Sequence, residues 1–295
     1  MDFGINIVTD RPVEYAVKVA QVAEKLGFKS VWIGETLGLE HPFKYLHHIA
    51  ENTGKIVIGT SILSIYTNPV KRVSDYFANI VEHYGRRFII GLGIGDKKLL
   101  EKIGAKDIVP LKDMVAYTNK LKVLLKKRGV EIPIIIGSMG PKLARYSCKV
   151  YGSVLLNTVY PDYVKWVLKN IEDTNKCKVY CIGPCLLEND KSNLKAIRIA
   201  AALVLRGMNN YFLKEFKLDN LAKEVNKLLE LGRYEELRKY ERILLNNFSI
   251  YGTLEHVLNR IKRLKNAGVE HLIFGTPLYR NISQIEILGK ALGLS

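Results

Sequence analysis

No apolar run in this chain approaches the ~18 residues needed to cross a bilayer, and the most apolar helix-like stretch, Ile197 to Leu205, is interrupted by Arg198. The opening residues, Met1-Asp2-Phe3-Gly4-Ile5, lack a basic region followed by an apolar one, so no secretory signal is read there and a cytoplasmic location is expected. Cysteine is scarce. Cys177, Cys181 and Cys185 recur every four residues, and Cys148 stands apart. That spacing matches no common zinc pattern, which leaves the three thiols as small buried hydrophobes on a strand. Histidines at 41, 47, 48, 83, 256 and 271 form no His-x-x-x-His pair, so no metal site is expected, and the absence of Gly-x-Ser-x-Gly removes one common hydrolase signature. Acidic residues are also few, 29 against 45 Lys plus Arg, leaving a formal charge of +16. Such an excess suits nucleic acid, a membrane surface or a polyanionic small molecule. The basic residues, however, come as short groups on helices (Lys97-Lys98, Lys126-Lys127-Arg128, Arg260 to Lys265) without interleaved aromatics, so neither nucleic acid nor membrane is expected as a partner.

What the chain does contain is a repeated alternation of apolar strand and amphipathic helix. Phe3 to Val8 reads as a buried strand, Asp10 and Pro12 open a helix, and Gly27 stops it. Further strands are predicted at Ser30 to Gly34, Lys55 to Leu63, Arg87 to Leu92, Pro133 to Gly137, Ser153 to Asn157, Lys178 to Leu186 and Glu270 to Phe274, each followed by a helical pattern. Residues 188–248 are helical almost throughout and exceed one crossover, so they read as an insertion before the last strand. Nearly continuous apolar strands in βα alternation indicate a parallel sheet covered by helices. Eight such units, in one domain spanning 1–295, favour an α/β fold of the (β/α)8 TIM-barrel type.

A barrel places its site on the loops after the strands. There the sequence offers Glu35-Thr36, Ser61-Ile62-Leu63, Gly91-Leu92-Gly93-Ile94-Gly95-Asp96, Ser138-Met139-Gly140-Pro141-Lys142 and Gly275-Thr276-Pro277. The glycine run is not a dinucleotide fingerprint, because Asp96 stands where a third glycine is required. It fits either close backbone approach to a flat ligand or tight turning. The Ser138 to Lys142 segment fits either phosphate binding at a helix start or simple capping. Glu35 fits an acid at the mouth or a rim salt bridge.

At these loops the sequence resembles the luciferase-like flavin and deazaflavin oxidoreductases, most closely the methylenetetrahydromethanopterin reductases. The resemblance runs from Phe3 to Gly289. It is carried by Ala23-Glu24-Lys25-Leu26-Gly27-Phe28 with Trp32-Ile33-Gly34-Glu35, by Ile58-Gly59-Thr60-Ser61-Ile62, by Gly95-Asp96-Lys97-Lys98 with Ile103-Gly104, and by Ile136-Gly137-Ser138-Met139-Gly140-Pro141. Ile250-Tyr251-Gly252-Thr253, Ala267-Gly268-Val269 and Phe274-Gly275-Thr276-Pro277 extend it to the last strand. The resemblance implies a bacterial-luciferase-like barrel and coenzyme F420, its deazaflavin ring set against a non-proline cis peptide at Ser61-Ile62. It further implies Gly93, Gly95 and Asp96 along the ring, Ser138, Gly140 and Pro141 at the phosphate-bearing tail, and a small-molecule substrate such as a pterin. The tail ends in phosphate and oligoglutamate, which gives the positive charge a partner. Relatives pair as homodimers, and the same is expected here.

Two positions depart from the group. Asn6 stands where the reductases carry a glutamate, and Thr36 where deazaflavin dehydrogenases carry a histidine. Glu35 and Asn6 are therefore the candidate reacting-end residues, with Glu35 the remaining acid, and the reaction is expected to differ from pterin reduction. The competing expectations are an FMN-dependent monooxygenase and a cofactor-binding relative without catalysis.

Overall fold

The computed structural model describes residues 1–96, 100–101, 104, 107–171 and 177–294. Lys97, Lys98 and Ile103 of the family motif lie outside the described residues. The elements begin with β1 (Asp2–Val8), α1 (Val13–Lys25), β2 (Ser30–Gly34), α2 (Pro42–Glu51), β3 (Val57–Thr60), β4 (Leu63–Ser64), α3 (Val70–Tyr84) and β5 (Phe88–Gly93). They continue with α4 (Pro110–Lys127), β6 (Ile134–Ser138), α5 (Pro141–Tyr151), β7 (Ser153–Leu156), α6 (Pro161–Lys169) and β8 (Lys178–Leu187). Residues 188–248 hold α7 (Leu194–Arg206), α8 (Asn210–Glu215), α9 (Asp219–Glu230), a 3-10 segment (Tyr234–Tyr240) and α10 (Glu241–Phe248). Last come β9 (Ile250–Gly252), α11 (Leu254–Asn266), β10 (His271–Gly275) and α12 (Ile282–Ala291).

The strands pair in parallel in the order β10-β1-β2-β3-β5-β6-β7-β8, and β8 pairs back to β10, closing an eight-stranded barrel. This is the expected (β/α)8 fold, with two differences. The third strand is not continuous over Lys55 to Leu63: it breaks after Thr60 at a cis Ser61–Ile62 peptide and resumes as β4 beside the end of β5. A short β9 also extends the sheet beside β8, Cys185 opposite Ile250. Pro at the first helical turn opens α2, α4, α5 and α6, where a missing N–H costs nothing. No described helix is long and apolar enough to cross a membrane.

Two apolar layers hold the barrel. The larger lies between strands and helices; the smaller, Trp32, Ile135, Leu155, Tyr180, Ile182 and Ile273, fills the interior. Below it, at the amino-terminal ends of the strands, is a polar plug. Buried His271 meets the Ser30 hydroxyl through Nε2 at 2.8 Å, Trp32 Nε1 donates to the same oxygen at 2.7 Å, and Lys178 pairs with Asp2 at 3.1 Å. A Cβ on Gly4 would stand 2.4 Å from the Ser30 Oγ, so only glycine admits this arrangement.

The cysteines depart from expectation. Only Cys181 and Cys185 are free buried thiols on β8; Cys177 precedes the strand and forms a disulfide with Cys148. The reason is topological. A barrel helix returns the chain to the amino-terminal face, so Cys148, near the end of α5, arrives beside the start of β8 with Cα atoms 5.0 Å apart.

Candidate active site

Side chains alternate along a strand, so residues two beyond the interior apolar layer form the next layer toward the mouth. Those positions include Gly34 after Trp32, Gly137 after Ile135 and Gly275 after Ile273. On these three strands the floor of the mouth therefore carries no side chain. Ile62, partly exposed, stands over it: a Cβ on Gly93 would lie 2.8 Å from its Cγ1, and one on Gly137 2.9 Å from its Cγ2. A Cβ on Gly91 would fall onto the Thr60 carbonyl, and Gly95 adopts φ +86° against Ser64. The run at 91–95 thus answers first to the bulge between β3 and β4, which presses on it.

Two expected residues meet beneath that bulge. Asn6, 7% exposed, donates from Nδ2 to the Trp32 carbonyl at 3.1 Å and to Ser61 Oγ at 2.8 Å. Glu35 is placed differently from a free acid. Its carboxylate accepts from the Ser64 backbone N–H, the Thr67 hydroxyl and the Asn68 amide, all at 2.8 Å, and its own N–H donates to the Ile62 carbonyl. Asn68 is fixed in turn by His41 and by the Tyr117 hydroxyl. Burial, and then the negative charge of Glu35, push the Tyr117 phenol above its ordinary range. Glu35 accordingly anchors the loop that carries Ile62.

The remaining expected residues form a second group. Asp96 is ion-paired with Arg206 from the last turn of α7, both partly buried. The Ser138 hydroxyl donates to the Gly140 carbonyl at 2.8 Å and accepts from the Gly140 N–H at 3.2 Å, shaping the turn into α5. Gly140 caps α5 with no side-chain acceptor and Pro141 follows, so the first N–H groups of the helix remain available. The Tyr163 hydroxyl donates to the Met139 carbonyl and accepts from the Asn209 N–H. The helical segment 188–248 thus reaches the mouth through Arg206 and Asn209. Neither was singled out from the sequence; Arg206 meets a carboxylate 110 residues away, and no local pattern signals such a contact.

Beside the mouth, on the loops after β1 and β2, a hollow of about 590 Å³ is lined in part by Thr9, Asp10, Arg11, Leu39, Glu40 and Tyr45. Asp10 is held by Tyr279 and by Arg280 at 2.5 Å. Among the described residues no three His, Cys, Asp or Glu side chains are grouped to hold a metal ion.

Residues 1–115 match the family described as luciferase-like monooxygenase. Over 98% of this chain, the sequence is 26% identical to the 5,10-methylenetetrahydromethanopterin reductase of Methanolobus tindarius, covering 99% of that protein. It is likewise 26% identical to the enzyme of the same name from Archaeoglobus fulgidus, with 98% of both chains covered. Among solved structures, the coenzyme F420-dependent tetrahydromethanopterin reductase of Methanopyrus kandleri superposes with a TM-score of 0.86 at 21% identity, covering 98% of this chain and 97% of that one. An F420-dependent secondary alcohol dehydrogenase superposes at 0.77 with 19% identity, covering 99% and 98%. At these identities the structural likeness shows the fold. The chain thus has the (β/α)8 fold of these structures, and its residues 1–115 are similar to the luciferase-like family.

Proposed function

We propose that this protein is a coenzyme F420-dependent oxidoreductase that exchanges a hydride between the deazaflavin and a carbon electrophile. The observation that carries the reading is the floor of Gly34, Gly93, Gly137 and Gly275, with Ile62 raised above it. A planar ring can lie on such a surface, and a Cβ at Gly93 or Gly137 would displace the isoleucine that backs it. Ser61, Ile62, Gly93, Gly95 and Asp96 would hold the ring. Ser138, Gly140 and Pro141 would hold the phosphate at the start of α5, where unpaired N–H groups and the helix dipole favour an anion. Bound there, the deazaflavin supplies a two-electron hydride carrier.

The protein's own part is orientation. Glu35 fixes the loop through Ser64, Thr67 and Asn68, and the bulge presents Ile62 at a constant height. The names of two solved structures of the same fold include F420, which supports it over other carriers. An FMN-dependent reaction is the second reading, favoured by a fold neighbour solved with FMN at 11% identity and a TM-score of 0.67. Fluorescence-quenching titrations with F420 and with FMN separate the two: tight, selective quenching of F420 is expected, and a preference for FMN would overturn the proposal. A cytoplasmic homodimer acting on a small molecule completes the reading, and sedimentation in solution tests its oligomeric part.

A further inference from the structure

The positive charge of the molecule is gathered on one side of the barrel. On α1, α2 and α3, five Lys and Arg are matched by five Asp and Glu. On α4, α5 and α6 there are ten Lys and Arg, all exposed and nine of them lysine, against two acids, Asp113 and Asp162, both partly buried. Asp113 is already bonded to the Tyr66 hydroxyl and the Val109 N–H. The three helices stand side by side. Lys122 Nζ lies 4.3 Å from the centre of the Tyr151 ring at the end of α5, and Arg145 donates to the Asn170 carbonyl, just past α6, at 3.2 Å. Their cations therefore form one wall on the outside of the barrel.

Helix energetics do not account for this wall. A cation in the last turn is favoured by the helix dipole, which explains Lys126, Lys149 and Lys169. Four residues before each of them, however, stands a second cation, Lys122, Arg145 or Lys165. Like charges at that spacing destabilise a helix, whereas the Glu40–Lys44 and Lys71–Asp75 pairs on the other side of the barrel stabilise it. Among the described residues no carboxylate pairs with Lys122, Lys126, Lys149, Lys165 or Lys169, so the wall is no stabilising ion-pair network. An acidic surface laid over it would remove the repulsion.

The make-up of the wall narrows the partner. Faces that bind nucleic acid use Arg forks and open aromatic rings; here lysine dominates, Tyr151 lies under Lys122, and Trp166 donates to Glu215. A membrane face needs large apolar side chains in a continuous stripe, but the exposed ones here, Leu111, Val123 and Val150, stand singly. A second copy of the chain would bring the same cations and be repelled. Isolated apolar contacts within a field of charge fit a polar, charge-steered protein interface. We infer that the wall of α4, α5 and α6 docks a different protein through an acidic face. This inference stands apart from the F420 reading.

The test uses the full chain at physiological salt. The probes are a fluorescein-labelled amphipathic peptide with glutamates and leucines on one face, a short DNA duplex, and phosphatidylglycerol vesicles. Fluorescence anisotropy and cosedimentation report binding. The peptide is expected to bind more tightly than DNA or vesicles, and added F420 should leave its affinity unchanged. Lys122→Glu with Lys165→Glu should weaken the peptide about tenfold. Lys18→Glu with Lys290→Glu, exposed on α1 and α12 and equal in net charge change, should alter it by less than about twofold. Each glutamate in the wall variant gains a lysine four residues on, so this variant should melt no lower than the wild type. Should it melt lower, Lys122→Gln with Lys165→Gln carries the comparison. Equal losses in the two charge variants would assign the effect to net charge and overturn the inference. So would tighter binding of DNA or vesicles, displacement of the peptide by F420, or no binding of the peptide at all.

Discussion

His271 shows how a single buried side chain couples this barrel to pH. Burial, with smaller contributions from Lys178 and the amino terminus and against the pull of Asp2, lowers its imidazole to about 4. The unfolded chain titrates this group near the ordinary value of 6.5. The folded state therefore excludes a proton that the unfolded state takes up. The stability held by neutral His271 is complete above about pH 6.5 and drains away as pH falls toward 4, by roughly 3 kcal/mol at most. Asp2, held below the ordinary carboxylate range despite some desolvation, loses its contribution only on further acidification below 3.8. Urea midpoints measured from pH 7 to 4.5 should fall in the wild type and fall much less in His271→Gln; parallel curves would dissociate the effect from His271. A second residue-scale expectation concerns Gly93. An added methyl would sit 2.8 Å from Ile62, so Gly93→Ala should weaken F420 quenching by about tenfold, whereas Gly54→Ala, with nothing within 4 Å, should leave it unchanged. Equal affinities in the two variants would remove Ile62 from the site.

At the scale of elements, the disulfide joins the end of α5 to the start of β8 across 29 residues. Closing a loop of that length restricts the unfolded chain by about 3–4 kcal/mol on the entropic account. Cys148→Ser should lower the unfolding free energy by up to that amount. Under native, non-reducing conditions Cys181 and Cys185, buried with their thiols pushed far above the ordinary range, should resist a thiol reagent until the protein is unfolded, when two thiols react. Four reactive thiols on unfolding would show the bond absent. The sequence resolved βα alternation because buried strands and amphipathic helices leave periodic apolar patterns. It resolved the Ser61–Ile62 bulge only through resemblance, since nothing in Thr60-Ser61-Ile62-Leu63 breaks an apolar strand by composition. The Cys148–Cys177 and Asp96–Arg206 contacts were illegible for another reason: each depends on which helix end closure brings beside which strand end. Likewise, Glu35 stood out as a lone acid after β2, but its three donors come from Ser64, Thr67 and Asn68, and only the folded loop places them there.

The molecule as a whole carries +16, and most of its Lys and Arg side chains sit on exposed helix faces, where each contributes little alone. Their sum matters for a ligand whose charge is large and extended. At 0.1 M salt, screening acts over ~10 Å, so cations beyond direct contact still draw in a polyanionic tail; at 1 M the range shrinks to ~3 Å, and only contacts at the start of α5 persist. F420 affinity should therefore fall steeply between low and high salt, with the loss mainly in the association rate. FMN, with one phosphate and no oligoglutamate, should respond far less. Lys142, exposed in the first turn of α5, is the cation nearest the expected phosphate in sequence, so Lys142→Ala should flatten the salt dependence of F420 more than Lys18→Ala on α1. Stopped-flow quenching over a salt series measures all three. A slope identical for F420 and FMN would assign the charge to solvated helix faces and leave binding to the glycine floor and the α5 N–H groups.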